Sequence, residues 1–351
     1  MKILHIITKS ELGGAQSVLA NIVNALCHEH EITVIAGEGD GKMFDNISQR
    51  VHKIFLPCLR RNISFYNDLK TYFFLRKINK ELNPDIVHLH SSKVGLLGRI
   101  AFPKSKIVYT VHGFDSIRLA FRRLLPIERS MQKRCAAIVG VSKYDLKMME
   151  SEGINNNLHC VINGIIPPMN KKTIPFAIPS RYKKHILCIA RISTQKKFDL
   201  FLDVAKQLPD YAFIWIGNLK EIKNAPQNVF MMGNLQDANQ YCKYADLLIL
   251  PSNYEGLPIV IIEAMSYGKP IVASNVGGIS EIVRNGQNGY TVENTIEDFT
   301  TKIQSILNNE TLYQKMSEQS LEIFKNELTA EKMVSEYMKI YQDIYNNNQH
   351  E

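Results

Sequence analysis

The chain has 351 residues, 45% of them hydrophobic and 22% charged, a profile that excludes a disordered or fibrous protein and suits a globular enzyme of two domains. Lys and Arg outnumber Asp and Glu by 42 to 34, and the resulting +8 fits an anionic substrate, an anionic membrane surface or nucleic acid without choosing among them. No apolar run reaches the roughly 18 residues of a membrane span. The opening Met1-Lys2-Ile3-Leu4-His5-Ile6-Ile7 has too short an apolar core for a secretion signal, so a cytoplasmic protein is expected.

Lys2–Thr8 reads as a short strand, followed by a turn at Gly13–Gly14. From Ala15 to His28, the residues Val18, Leu19, Ile22, Val23 and Leu26 recur at helical spacing. Ile32–Ala36, Val51–Leu56, Ile86–His90, Lys106–Thr110 and Ala136–Val141 read as further strands. Helical stretches near 64–82, 92–101, 118–134 and 142–152 separate them. Strands alternating with helices predict a parallel, doubly wound α/β sheet. The alternation breaks from Ile165-Ile166-Pro167-Pro168 to Pro179, where Pro and Lys recur without a period, as in a linker. It restarts with a strand at His185–Ala190, a helix from about Lys197, and strands at Ala212–Ile216, Val229–Met232, Asp246–Leu250 and Pro270–Ala273. Residues 296–346 read as mostly helical. The expected organisation is an α/β domain over 1–168, a linker over 169–183 and a second α/β domain over 184–328, with a cleft between the two domains. A terminal helix over 329–351 is expected to pack back toward the first domain.

The six cysteines are scattered with no C-x-x-C pair, which suits reduced thiols rather than a structural zinc site. No His-x-x-x-His or Asp-x-Asp occurs either, so no dedicated metal site is expected. The most informative stretch runs from Pro251 to Met265. An apolar strand leads into a polar loop with Glu255, then Gly256, Leu257 and Pro258, then an apolar helix carrying Glu263 two turns in. Carboxylates are rarely buried without a partner, which singles out this pair. A helix start at the carboxyl end of a strand is where α/β folds hold anionic ligands. Arg191 and Lys196 flank the loop after the first strand of the second half, where two cations can clamp a diphosphate or simply face solvent. Gly13–Gly14 is either a tight turn or a close approach to an anion, and its spacing is not the dinucleotide G-x-G-x-x-G. His112, in Val111-His112-Gly113-Phe114, is either a satisfied structural residue or one that reaches into the cleft; His88 and His90 read as structural.

Two segments mix basic and apolar residues. Arg118, Arg122, Arg123, Arg129, Lys133 and Arg134 interleave with Leu119, Phe121, Leu124, Leu125 and Ile127. The other runs from Arg60 through Tyr72, Phe73, Phe74, Arg76, Lys77 and Lys80. Each fits a helix lying on an anionic membrane, or a packed helix with a solvated basic side.

In chain order, several segments together resemble the retaining glycosyltransferases of family 4, which have the GT-B architecture of two Rossmann-like domains. They are the first strand with Gly13–Gly14, Asp85-Ile86-Val87-His88-Leu89-His90, Thr110-Val111-His112-Gly113, Val141-Ser142, Asn163-Gly164, Arg191 with Lys196, Glu255 with Glu263 seven residues between, and Gly277-Gly278-Ile279-Ser280-Glu281-Ile282-Val283. The resemblance implies that Arg191 and Lys196 bind the donor diphosphate, that Gly14 brings backbone amide to it, and that Glu263 holds the ribose. It implies that Glu255, with the amides of Gly256 and Leu257, grips the donor sugar, and that His112 contacts that sugar from the other domain. Asn163 and Gly217 join the donor site, and Gly233-Asn234-Leu235 meets the base through backbone groups. Two departures stand out: many relatives have Gly where Lys197 stands, and Gly-Phe-Gly where Gly256-Leu257-Pro258 stands. The implied activity is metal-independent transfer of a sugar, from a UDP-sugar rather than a GDP-sugar, to a lipid-linked or growing glycan in surface-polysaccharide synthesis. The implied place is the inner face of the plasma membrane, with no cofactor and no nucleic acid. The alternatives are another GT-B enzyme such as a nucleotide-sugar epimerase, a nucleic-acid-binding module, suggested only by a pI near 9.0, and a non-catalytic sugar-nucleotide-binding subunit.

Overall fold

The computed structural model describes residues 1–167, 173–219, 222 and 224–349; the expected domain boundary at 168 and the start of the expected linker lie outside the described residues. The chain forms two compact units, Met1–Ile166 with Ala330–Glu351, and Pro167–Thr329.

In the first unit the strands are β1 (Lys2–Ile7), β2 (Glu31–Ala36), β3 (His52–Phe55), β4 (Ile86–Leu89), β5 (Ile107–Val111), β6 (Ala137–Gly140) and β7 (Leu158–Cys160). They form one parallel sheet in the order β3-β2-β1-β4-β5-β6-β7. The helices are α1 (Gly14–Leu26), α2 (Phe65–Leu82), α3 (Ser92–Ala101), α4 (Leu125–Met131) and α5 (Lys143–Ser151). The central strands are buried along nearly their whole length, as in β1 where only Lys2 is exposed. That explains their continuous apolar runs: helices cover both faces of a parallel sheet.

The second unit repeats the plan with β8 (Lys184–Ile189), β9 (Tyr211–Ile216), β10 (Val229–Met231), β11 (Leu247–Leu250), β12 (Ile271–Ser274) and β13 (Gly289–Val292). Its parallel order is β10-β9-β8-β11-β12-β13. The helices are α6 (Phe198–Gln207), α7 (Ile259–Ser266), α8 (Ile279–Ile282), α9 (Ile296–Leu307) and α10 (Glu310–Glu327). Both sheets therefore have the doubly wound strand order, with the reversal between β1 and β4 in one and between β8 and β11 in the other. The last helix, α11 (Ala330–Gln349), belongs to the first unit, where Tyr337 and Tyr341 are fully buried.

Three expectations are corrected. Residues 118–134 are not one helix: a π-turn at Ser116–Ala120 and a 3₁₀ turn at Arg122–Leu124 precede α4, and a 3₁₀ turn at Gln132–Arg134 follows it. Pro126 lies in the first turn of α4, and its ring and missing N–H prevent a helix from running through that point. The edge strands β7 and β13 are additional to the expected strands, because their sequences, Leu158-His159-Cys160 and Gly289-Tyr290-Thr291-Val292, hold no apolar run. Glu263 lies one turn into its helix rather than two, because Pro258 stays extended as the cap (φ −71°, ψ 120°) and Ile259 is the first helical residue.

Candidate active site

In the second unit, β8 and β11 pair directly, so the loops after them, 190–197 and 251–258, leave adjacent strand ends. The loops are stitched together. Asn253 donates its backbone N–H to Gln195 O at 2.8 Å, Gln195 Nε2 donates to Tyr254 O at 2.9 Å, and Asn253 Nδ2 donates to Thr194 O at 2.8 Å. The stitching brings Lys196 and Glu255 into a direct ion pair between Nζ and Oε1. Ser252 Oγ donates to the same oxygen at 2.6 Å. Oε2 of Glu255 makes no hydrogen bond among the described residues, and so remains available to a ligand hydroxyl.

Ser252 is held in turn. Its N–H donates to Ser274 Oγ at 2.7 Å, its carbonyl accepts from Asn294 Nδ2 at 2.9 Å, and Ser274 Oγ donates to Asn294 Oδ1 at 2.5 Å. Gly277 and Gly278 close the loop from the other side. Gly278 donates to Gly256 O at 2.9 Å, and a Cβ on Gly277 (φ +59°) would lie 2.0 Å from Glu255 O. Only glycine fits there. Sequence reasoning assigned no role to Ser252, Ser274 or Asn294. Their polar side chains at the ends of apolar strands were the available signal.

Arg191 is exposed immediately beyond β8. Gly217 (φ +116°) follows β9, donates to Gly233 O at 2.7 Å, and would drive a Cβ to 2.5 Å from Ala190 O. It thereby seats the Gly233 turn, with exposed Asn234 and half-buried Leu235, beside the start of the Arg191 loop. Leu257 points into the core at 4% exposure. On α7, the Glu263 carboxyl has no side-chain partner among the described residues, and desolvation pushes its pKa up to about 8. Hydroxyl donors brought to that carboxyl would favour its ionised form and pull the pKa back down.

In the first unit, β1, β4 and β5 are neighbours, and their carboxyl ends lead to Gly13–Gly14, His90 and His112. Gly14 opens α1, whose first turn holds no acidic residue and whose cap, Gly13, offers no side-chain acceptor. Asn163 is buried beyond β7, next to Gly164, whose N–H meets Met333 Sδ at 3.2 Å. His112 is half-buried and joined to a row of histidines. His90 Nδ1 lies 3.2 Å from His112 Nε2, and His90 Nε2 lies 2.9 Å from His5 Nδ1. His88 bonds Tyr341 OH at 2.6 Å and Thr110 Oγ1 at 2.7 Å. Desolvation lowers all four imidazoles, His5 to about 3 and His112 to about 4. His5, His88 and His90 are close enough together to hold a metal ion, but each already spends at least one ring nitrogen on a hydrogen bond within the protein. His88 and His90 are thus buried at the end of β4 and bonded within the protein.

The profile of the family described as Glycosyltransferase Family 4 matches residues 12–167, and that of Glycosyl transferases group 1 matches residues 170–322. The chain belongs to glycosyltransferase family 4. It is 28% identical to the UDP-Gal:alpha-D-GlcNAc-diphosphoundecaprenol alpha-1,3-galactosyltransferase of Escherichia coli over 89% of each chain. It is 29% identical to the O-antigen biosynthesis glycosyltransferase WbnH of Escherichia coli, over 90% of this chain and 92% of that one. Its fold matches that of Anabaena HepE, solved with UDP and glucose, at a TM-score of 0.80 and 18% identity, covering 98% of this chain and all of the other. The architecture is GT-B, and the protein is a glycosyltransferase. The departure from the family at Lys197 falls on a left-handed residue (φ 36°, ψ 55°), a conformation in which glycine carries no steric penalty.

Proposed function

We infer that this family 4 enzyme moves a hexosyl or N-acetylhexosaminyl group from a UDP-sugar to a lipid-diphosphate-linked glycan during surface-polysaccharide assembly, with retention of the anomeric configuration. The observation that carries the reading is the Lys196–Glu255–Ser252 cluster on stitched loops at adjoining strand ends, with exposed Arg191 on the same loop as Lys196. Two cations there stabilise the charge that develops on a departing diphosphate. Glu255 Oε2 and the neighbouring amides hold sugar hydroxyls, and Glu263 holds the ribose. UDP as the nucleotide is supported by the donor in the name of the Escherichia coli galactosyltransferase, and a lipid-linked acceptor by the same name.

A lipid-linked acceptor would bring the enzyme to a membrane surface, and the first unit has a face that suits one. No described helix is long and apolar enough to cross a membrane. Phe65, Leu69 and Phe73 are exposed at i, i+4 and i+8 on α2, and Ile63 before it is 86% exposed. The Arg61 guanidinium lies 5.9 Å from the centre of the Phe121 ring, which joins this stripe to exposed Leu119 and Phe121. Arg60, Lys70 and Arg123 are exposed around it. Apolar side chains ringed by cations match an anionic leaflet.

The deciding experiment follows release of UDP from UDP-galactose, UDP-glucose and their N-acetyl forms, with and without polyprenyl-diphosphate-linked GlcNAc. Acceptor-dependent release, with a product linkage of the donor's configuration by NMR, is expected. Conversion of the donor sugar without acceptor points to an epimerase, and an inverted linkage overturns the mechanism.

A further inference from the structure

The histidine row in the first unit carries information that none of its members carries alone. His5 and His90 are 0% and 1% exposed, and the rings of His5, His90 and His112 stack in a row, with centroids 5.2 Å apart for His5 and His90 and 5.5 Å for His90 and His112, while His88 lies tilted beside them. Burial keeps these imidazoles neutral at pH 7. A neutral imidazole has one N–H and one lone pair. His90 uses one nitrogen toward each neighbour, so it must donate to one and accept from the other. The row therefore has a single direction.

Two directions exist. In the first, His112 Nε2–H donates to His90 Nδ1, and His90 Nε2–H donates to His5 Nδ1. His5 then carries its proton on Nε2, an atom that is buried without a hydrogen-bond partner. In the second, His5 Nδ1–H donates to His90 Nε2, and His90 Nδ1–H donates to His112 Nε2. His5 Nε2 is then a bare lone pair, and His112 carries its proton on Nδ1. A buried N–H with no acceptor is the rarer and costlier defect in folded proteins. The second direction wins.

We propose that His5 and His90 are positioning residues that fix His112 as the Nδ1–H tautomer, so that it presents a hydrogen-bond donor, and never a base, to the substrate. His112 Nδ1 makes no hydrogen bond within the protein among the described residues, and that atom is the one left for a ligand. The ligand atom it meets is then an oxygen acceptor: a hydroxyl, ring or phosphoryl oxygen. Abstraction of a proton at Nδ1 is ruled out, and no proton can be fed in from the His5 end, where the row stops in the core. The identity of that ligand rests on the proposed transferase reading; the tautomer does not.

The test is a long-range ¹H–¹⁵N correlation on ligand-free protein labelled with ¹⁵N-histidine at pH 7.5, with His112→Asn to identify the His112 signals. A pyrrole-type Nδ1 and a pyridine-type Nε2 at His112 are expected; the reverse pattern overturns the proposal. His5→Phe removes the first donor and should shift His112 toward the Nε2–H form, whereas His5→Gln, whose amide still donates, should keep Nδ1–H. An unshifted His112 in folded His5→Phe would show that the row does not set it. These spectra are read without turnover, so an enzyme that fails every transfer assay still gives an answer on the tautomer.

Discussion

Lys196 Nζ donates to Glu255 Oε1, and the two side chains are 18% and 8% exposed. In the ligand-free protein the residue assigned to the diphosphate and the residue assigned to the sugar are thus each other's partner. On the proposed reading, phosphate oxygens would share the lysine, while Glu255 keeps Ser252 on one oxygen and has the other for the sugar. Removing Lys196 strands a carboxylate that is largely out of water. Lys196→Ala should therefore cost about 3 kcal/mol of stability as well as transfer activity. Glu255→Gln keeps the shape but loses the charge-assisted bond, and should lower turnover by roughly 10- to 100-fold. A denaturant-melt double-mutant cycle that finds no coupling between the two would refute the pairing.

Lys197 is held at φ 36° by the close of the Lys196 loop and the start of α6. The left-handed conformation costs a non-glycine residue about 1–2 kcal/mol, partly offset by the entropy that glycine loses on folding. Lys197→Gly should stabilise the protein by about 0.5–1 kcal/mol, read as a higher melting temperature. A lower one would mean that the lysine side chain contributes more than its backbone costs.

The Glu263 carboxyl, pushed up to about 8, is mostly protonated at neutral pH in the ligand-free protein. If Glu263 accepts the ribose hydroxyls as proposed, its ionised form is favoured, and UDP binding should release a proton and tighten between pH 6.5 and 8.5. Calorimetry in buffers of different ionisation enthalpy detects the proton, and Glu263→Gln should flatten the profile. Between the ordinary value of 4.5 and about 8 the folded state holds more proton than the unfolded, so this group's contribution to stability falls as pH rises.

The histidine row has the opposite sign. His5 at about 3 and His112 at about 4 lie below the ordinary 6.5, so the unfolded chain binds more protons in that window. Their contribution is complete above about 6.5 and is lost as pH falls toward 4. Circular dichroism during acid titration should show the wild type losing stability from about pH 6 downward, and His5→Phe losing less.

Phe65→Ser with Phe73→Ser should reduce co-sedimentation with anionic vesicles at all salt concentrations. Arg60→Glu with Lys70→Glu should remove the salt-sensitive part, since exposed charges are screened within about 10 Å at 0.1 M. Equal partition of the wild type to neutral and anionic vesicles would mean that these residues face only solvent.

The apolar periods of β1, α1 and β11, and the order of the Gly, His, Arg/Lys and Glu motifs, were enough to specify two doubly wound units and the family, because local spacing encodes which face is buried. Sequence also placed Lys196 and Glu255 at strand ends. It could not pair them: they are 59 residues apart, and only the adjacency of β8 and β11 makes their loops neighbours. The direction of the histidine row likewise came only from tertiary structure. His5, His90 and His112 lie on three separate segments of sequence, and what orients them is the burial of a single nitrogen, His5 Nε2, away from any partner.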